Sequence, residues 1–215
     1  KLSVFTSVFL LFLVSSELSI ADDGYRLWLK YDLISDGEVL NPYKQSIKNQ
    51  YVIGNSETID VIKKELNLAF GGLFGEVIPE ENTFTANSLI VALIGDLPDE
   101  IVDQLNTDNI KNQTEGFLIK TIRINDENSI IVSGITEQGL LYGVFRFIHL
   151  LQTHTNINDL NIISIPKIKV RVLNHWDNLD RTVERGYAGF SLWDWHKLPD
   201  YIHQRYHDYA RANAS

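Results

Sequence analysis

The chain has 215 residues, of which 44% are apolar and 22% charged, the proportions of a globular protein with a packed core rather than a disordered one. A formal net charge of −9, with no stripe of lysine and arginine, excludes a nucleic-acid partner held by broad phosphate binding. With no cysteine there is no disulfide framework, no thiolate nucleophile and no cysteine-based metal site.

Lys1 precedes an uncharged run, Leu2 to Ser16, and Ser19-Ile20-Ala21 then supplies the small residues of a cleavage site. Residues 1–21 therefore read as a secretory signal peptide that leaves Asp22 as the mature N-terminus. A membrane anchor is the competing reading, but the strongly apolar part falls short of the roughly 20 residues that a spanning helix needs. The expected location is secreted, or periplasmic in a Gram-negative host, with no membrane association after cleavage. The absence of methionine even at position 1, and a last helical pattern that reaches Ser215 without a glycine or proline exit, point to a piece of a longer chain.

Tyr25 to Tyr31 alternates large apolar with polar residues and predicts a half-buried strand. Ser35 to Gln50, with Asp36-Gly37 and Asn41-Pro42 as breakers, predicts a turn-rich segment, and Tyr51 to Ile53 a short strand ending at Gly54. Asn55 and Ser56 then cap an amphipathic helix with apolar residues at Ile59, Ile62, Leu66 and Ala69 or Phe70, ended by Gly71-Gly72. No GxGxxG or GxxxxGK pattern surrounds that glycine pair, which favours a turn over a phosphate loop. Ser88 to Ile94 is a near-continuous apolar run, a strand buried on both faces. Pro98-Asp99-Glu100 opens a short helix through Leu105. Gly116–Ile124 and Ser129–Ile135 form a hairpin about residues 125–128, and Glu137–Gln152 is a strong helix.

Together these predict an α/β fold, with a mixed-sheet N-terminal domain over 22–155 and a polar linker from Thr153 to Leu160. Beyond it, Ile168 to Leu173 leads into VRVLNHWDNLDRTVERGYAGFSLWDW, a β-branched run spilling into a charged loop that holds three of the chain's four tryptophans. Val170–Leu173 is expected to be a buried parallel strand, and ligand sites form at the C-terminal ends of such strands. Clustered tryptophans suit stacking on a sugar ring, and Trp176, Trp193 and Trp195 serve either that role or a core. Asp177, Asp180, Glu184 and Asp194 offer carboxylates for paired acid and base work, or they pair with Arg181 and Arg185 and cap backbone. Pro199 and Asp200 start the last helix, with Ile202, Tyr206, Tyr209 and Asn213 on one side. His203 and His207 have metal-ligand spacing, but Gln204 stands where the zincin signature needs glutamate, so solvated surface histidines are the better reading. Asn112-Gln113-Thr114 is a glycosylation sequon in a polar loop, usable in a eukaryotic host; Asn213 also matches, on a helix that packing would hide.

Asn174-His175-Trp176-Asp177-Asn178-Leu179-Asp180, followed by Glu184-Arg185-Gly186-Tyr187-Ala188-Gly189 and Trp193-Asp194-Trp195, resembles the family 67 glycoside hydrolases, the α-glucuronidases of xylan breakdown. The resemblance extends to Asp208–Ser215 and, more weakly, to Gly24–Leu29 and Gly139–Gly143. It implies an N-terminal domain like the one preceding hexosaminidase barrels, then over 156–215 the first β/α unit of a truncated (β/α)8 barrel. The implied reaction releases glucuronic acid or its 4-O-methyl ether from the terminal xylose of glucuronoxylan-derived oligosaccharides, with inversion. No metal or organic cofactor is implied, and a homodimeric parent is allowed. Trp176 would wall the sugar pocket, and Asn174, Asp177 and Asn178 would shape or contact it. The family's catalytic acid and base lie beyond Ser215, so no catalytic residue is assigned and the fragment is expected to be inactive. Arg181 stands where the family more often has a small residue. The rival readings are a non-catalytic carbohydrate-binding or interaction module that uses the tryptophans alone, and a remnant without function.

Overall fold

The computed structural model describes residues 23–215; the expected signal peptide over 1–21 lies outside them. Five strands form one mixed sheet in the order β1-β2-β4-β3-β5. β1 (Asn49–Val52), β2 (Ser88–Leu93) and β4 (Glu127–Gly134) run parallel, while β3 (Phe117–Ile124) pairs antiparallel with both β4 and β5 (Asn161–Ser164). The α/β expectation therefore holds for the sheet and its helices.

β2 shows why a continuous apolar run marks a central strand. Successive side chains alternate between faces, so Leu89 and Val91 enter one core while Ile90 and Ala92 enter the other. The first core is covered by α2 (Glu57–Leu73) and α4 (Glu137–Gln152), the second by the short α3 (Asp99–Val102) with Leu97, Leu105 and Ile110. Leu66, Leu140 and Val144 are fully buried, each contributing roughly 1.5–3 kcal/mol relative to exposure.

Local signals set most boundaries. Ser56 accepts from the Ile59 amide at 3.1 Å to cap α2, and its hydroxyl also donates to Glu137 at 2.8 Å, tying together the starts of α2 and α4. Asn125 and Asp126 both have positive φ, 50° and 64°, which makes the hairpin a two-residue turn, tighter than the expected four residues. In α4, a Cβ on Gly139 would lie 2.4 Å from the Gly116 carbonyl oxygen, and one on Gly143 would lie 2.8 Å from Val132, so both glycines permit close helix–sheet approach.

Several expectations are corrected. Ser35–Gln50 contains a helix, α1 (Gly37–Ser46), capped by Asp36, with Pro42 inside it. Pro42 cannot donate to the carbonyl one turn back, but Tyr43 is buried against Phe74 and its hydroxyl donates to the Thr155 carbonyl at 2.7 Å, so tertiary packing outweighs the break. α2 runs through Gly71 and Gly72 to Leu73, and the positive-φ exit is Gly75. α3 ends at Val102 rather than Leu105. Tyr25–Tyr31 is no strand: Leu27 and Tyr31 have positive φ, and the segment turns on bonds from the Leu27 amide to Gly24 and the Leu29 amide to Arg26. It docks on α2 instead, where a Cβ on Gly72 would lie 2.1 Å from the Tyr31 carbonyl oxygen.

β5 lies beyond the boundary expected at 155/156 and pairs with the sheet, its residues Asn161–Ser164 lying opposite Lys120–Phe117. Val170–Leu173 is not a strand in this structure; Val170, Val172 and Leu173 are exposed, and among the described residues no strand pairs with this segment. The last helix, α5 (Gln204–Ala214), begins five residues after Pro199, at a cap provided by His203.

Candidate functional site

α5 returns to the first domain and is held there by a buried charge cluster. The Arg211 guanidinium forks onto Glu65 of α2, with Nε 2.7 Å from Oε2 and Nη2 2.8 Å from Oε1. The Tyr31 hydroxyl donates to the same Oε1 at 2.5 Å, and Glu65 is 2% exposed. Beside this cluster the Tyr25 hydroxyl donates to Asp208 at 2.8 Å and the Trp28 indole to the Ser215 hydroxyl at 2.6 Å. The first segment of the described chain is thus a clasp across its last helix. Sequence reading missed it, although Glu65 stands in phase with Ile62 and Ala69 on the apolar stripe of α2, where a carboxylate needs a partner.

Burial, and secondarily the Glu65 charge, push the Tyr31 phenol well above its ordinary range, and the Glu65 hydrogen bonds raise Arg211. A tyrosine whose folded pKa is raised contributes stability that is intact below the unfolded value of about 10 and lost as pH rises beyond it, because only the unfolded chain then releases the proton. Stability should fall above about pH 10, and Tyr31→Phe should flatten that fall; urea unfolding at pH 8 to 11 measures both.

The tryptophan loop folds on its own polar groups. Isolated bridges join Asp177 to Val183 and Thr182 to Phe190. The Asn178 side-chain amide donates to Thr182 Oγ1 at 2.9 Å and to the Glu184 carbonyl at 2.6 Å. Asp177 accepts from the Ser191 hydroxyl at 2.5 Å. Asp180 accepts from the hydroxyl and amide of Thr182, which lower its pKa, and Glu184 accepts from Tyr187. Asp194 lies 2.6 Å from the Arg181 guanidinium in an ionic contact and 3.4 Å from Lys197. Partial desolvation raises its pKa, but Lys197 and Arg181 outweigh that and hold it below the usual carboxylate range. All four carboxylates are thus engaged by other loop groups.

The tryptophans divide by role. Trp193 is the hub of an aromatic cluster, its ring centroid 4.7 Å from Tyr206 and 5.7 Å from each of Trp195, His175 and Tyr209. The Tyr206 hydroxyl accepts from the Asp194 amide at 2.6 Å. Trp176 stands apart with 68% of its surface exposed, and Asn174 beside it is also exposed. Of the four sugar-facing candidates, then, Trp176 and Asn174 present free surface, while Asp177 and Asn178 brace the loop. A cleft of about 450 Å3 lies elsewhere, between α4 and the end of α5, and includes Trp28, Tyr142, Arg146 and Arg171; none of the four candidates lines it. Among the described residues no three His, Asp or Glu side chains converge as metal ligands, and His203 is spent as a cap, accepting from the Arg205 amide at 3.1 Å. Asn112 lies in an exposed turn, and among the described residues no helix is long and apolar enough to cross a membrane.

The model of the glycosyl hydrolase family 67 N-terminus matches residues 27–147, and the model of the family 67 middle domain matches residues 150–215. The chain belongs to glycosyl hydrolase family 67. The two family 67 matches meet inside α4, so the division between them is not a gap in the structure. Similar proteins include a probable alpha-glucuronidase A of Aspergillus terreus, 28% identical over 93% of this chain and 23% of the relative. The alpha-glucuronidase A of Emericella nidulans is 25% identical over 92% of this chain and 24% of its own length, and that of Aspergillus tubingensis 27% over 81% and 20%. The chain therefore spans only about a fifth to a quarter of these curated relatives.

Proposed function

We propose that this chain is the N-terminal portion of a secreted α-glucuronidase that cleaves the α-1,2 bond between (4-O-methyl)glucuronic acid and the terminal xylose of xylo-oligosaccharides, with inversion. The observation that carries this reading is the match to two consecutive family 67 regions, together with relatives named alpha-glucuronidase that align over most of the chain. In this reading the sheet domain corresponds to the hexosaminidase-like N-terminal domain. Val170–Leu173, apolar yet exposed here, becomes the first strand of a (β/α)8 barrel once neighbouring strands flank it.

The chemistry needs an acid to protonate the leaving xylose oxygen and a base to activate water on the opposite face of the uronic acid, the two carboxyl groups standing about 6.5–9.5 Å apart. The loop carboxylates suit neither role, since each is already engaged by a loop partner, and the pair is assigned to later barrel strands. Trp176 offers the flat wall and Asn174 a polar group for the sugar, while Asp177 and Asn178 hold the loop beneath them. The 215 residues by themselves should hydrolyse nothing.

The test is ¹H NMR of the full-length protein acting on 4-O-methylglucuronosyl xylotriose. Inversion of the α bond should release the β-anomer first, which then mutarotates. Initial release of the α-anomer, or no release of uronic acid, would overturn the reading.

A further inference from the structure

Two flanks of Trp176 differ in how they are held. On its C-terminal side the Trp176 carbonyl accepts from the Glu184 amide at 2.8 Å, within the bridged loop. On its N-terminal side Val170–Leu173 has no strand pairing among the described residues. Between these flanks the His175 ring reaches α5, where its Nε2 lies 2.8 Å from the Tyr209 hydroxyl and its plane stands edge-on to Tyr209 and Trp193. Adjacent side chains of an extended segment project to opposite sides. The His175 ring, itself still partly open to solvent, is tied to α5, while its neighbours Asn174 and Trp176 are exposed on either side of it along the chain.

α5 is a rigid place from which to pin. Residues two apart on a helix point about 200° from one another, so Arg211 and Tyr209 occupy opposite faces. Arg211 is forked onto Glu65 of the first domain, while Tyr209 meets the loop. The helix is a strut with the sheet domain at one side and the sugar-facing segment at the other.

We infer that Tyr209 is a positioning residue for substrate binding: its hydroxyl fixes the His175 ring, and His175 sets the backbone that presents Asn174 and Trp176 to the sugar. This rests on the α-glucuronidase reading above. Tyr209 touches no substrate; it acts through His175. A flat wall contacts the ground state and the transition state alike, so loosening it raises KM and leaves kcat nearly unchanged.

The experiment compares Tyr209→Phe, Trp176→Ala and the double variant of the full-length protein on 4-O-methylglucuronosyl xylotriose. Tyr209→Phe keeps the ring against Trp193 and removes only the hydroxyl, so it should raise KM about 3- to 10-fold with kcat within about twofold, and leave the melting temperature nearly unchanged. In the Trp176→Ala background the same change should have a clearly smaller effect, limited to the share carried by Asn174, because the wall that His175 presents is gone. His175→Gln, whose amide reaches the Nε2 position, should retain more of the wild-type KM than His175→Leu. Wild-type kinetics for Tyr209→Phe beside an impaired Trp176→Ala, or a full additive effect in the double variant, would overturn the positioning role and leave the function standing. Wild-type kinetics for Trp176→Ala would overturn the sugar-wall reading and this inference with it.

Discussion

Glu65→Ala should be among the most damaging single substitutions in the chain, lowering unfolding free energy by about 3–5 kcal/mol, the usual cost of stripping one partner from a buried ion pair. Glu65 is 2% exposed and receives two bonds from Arg211 and one from Tyr31, so its loss leaves the buried Tyr31 phenol without its acceptor and the Arg211 guanidinium, its side chain 26% exposed, with the longer 3.4 Å contact to Asp208. With typical stabilities of about 5–15 kcal/mol, such a loss consumes much of the total. The cluster is not thereby a net source of stability, since taking charges out of water costs nearly as much as their attraction returns. Replacing all three residues, as Tyr31→Phe with Glu65→Leu and Arg211→Leu, should therefore cost far less than Glu65→Ala alone. Urea unfolding measures the global term, and hydrogen exchange at the α5 amides shows whether that helix detaches first. A triple variant as damaged as the single one would contradict the account.

What was legible in the sequence follows from which contacts are local. α4 was read at its observed limits because its apolar stripe lies within its own residues. β2 was read because burial on both faces leaves no polar position after Ser88. α1 was missed because the force that overrides Pro42 is the burial of Tyr43 against residues 31 and 112 positions away, Phe74 and Thr155. Tyr25–Tyr31 was misread for a related reason. Its alternation is real, but the segment answers to the Gly72 backbone and to Glu65, partners that no short window contains. Val170–Leu173 failed in the opposite way, having the composition of a buried strand without strands beside it.

The clustering of tryptophans and carboxylates in the sequence marks the loop as the candidate site, and the structure shows how that loop is held. Sequence could not say that Trp193 would be a packing hub while Trp176 stood free, because that depends on Tyr206 and Tyr209 arriving from α5. Nor could it show that Asn178 spends its amide on Thr182 and the Glu184 carbonyl, which braces the loop.

That division of roles sets the second large effect. Under the proposed function, Trp176→Ala in the full-length protein should reduce kcat/KM on 4-O-methylglucuronosyl xylotriose by roughly 30- to 1,000-fold, the range for removing an aromatic anchor worth about 2–4 kcal/mol. Its thermal stability should be nearly unchanged, because a side chain that is 68% exposed contributes little to the core. Trp193→Ala should show the reverse balance. The hub contacts Tyr206, Tyr209, His175 and Trp195, so its loss loosens the loop and lowers the melting temperature along with activity. Trp176→Phe should recover part of the loss, since a smaller flat face still stacks on the sugar. Steady-state kinetics paired with calorimetric melting of each variant separate the two tryptophans. If Trp176→Ala melted early and Trp193→Ala did not, the assignment of wall and hub would have to be exchanged.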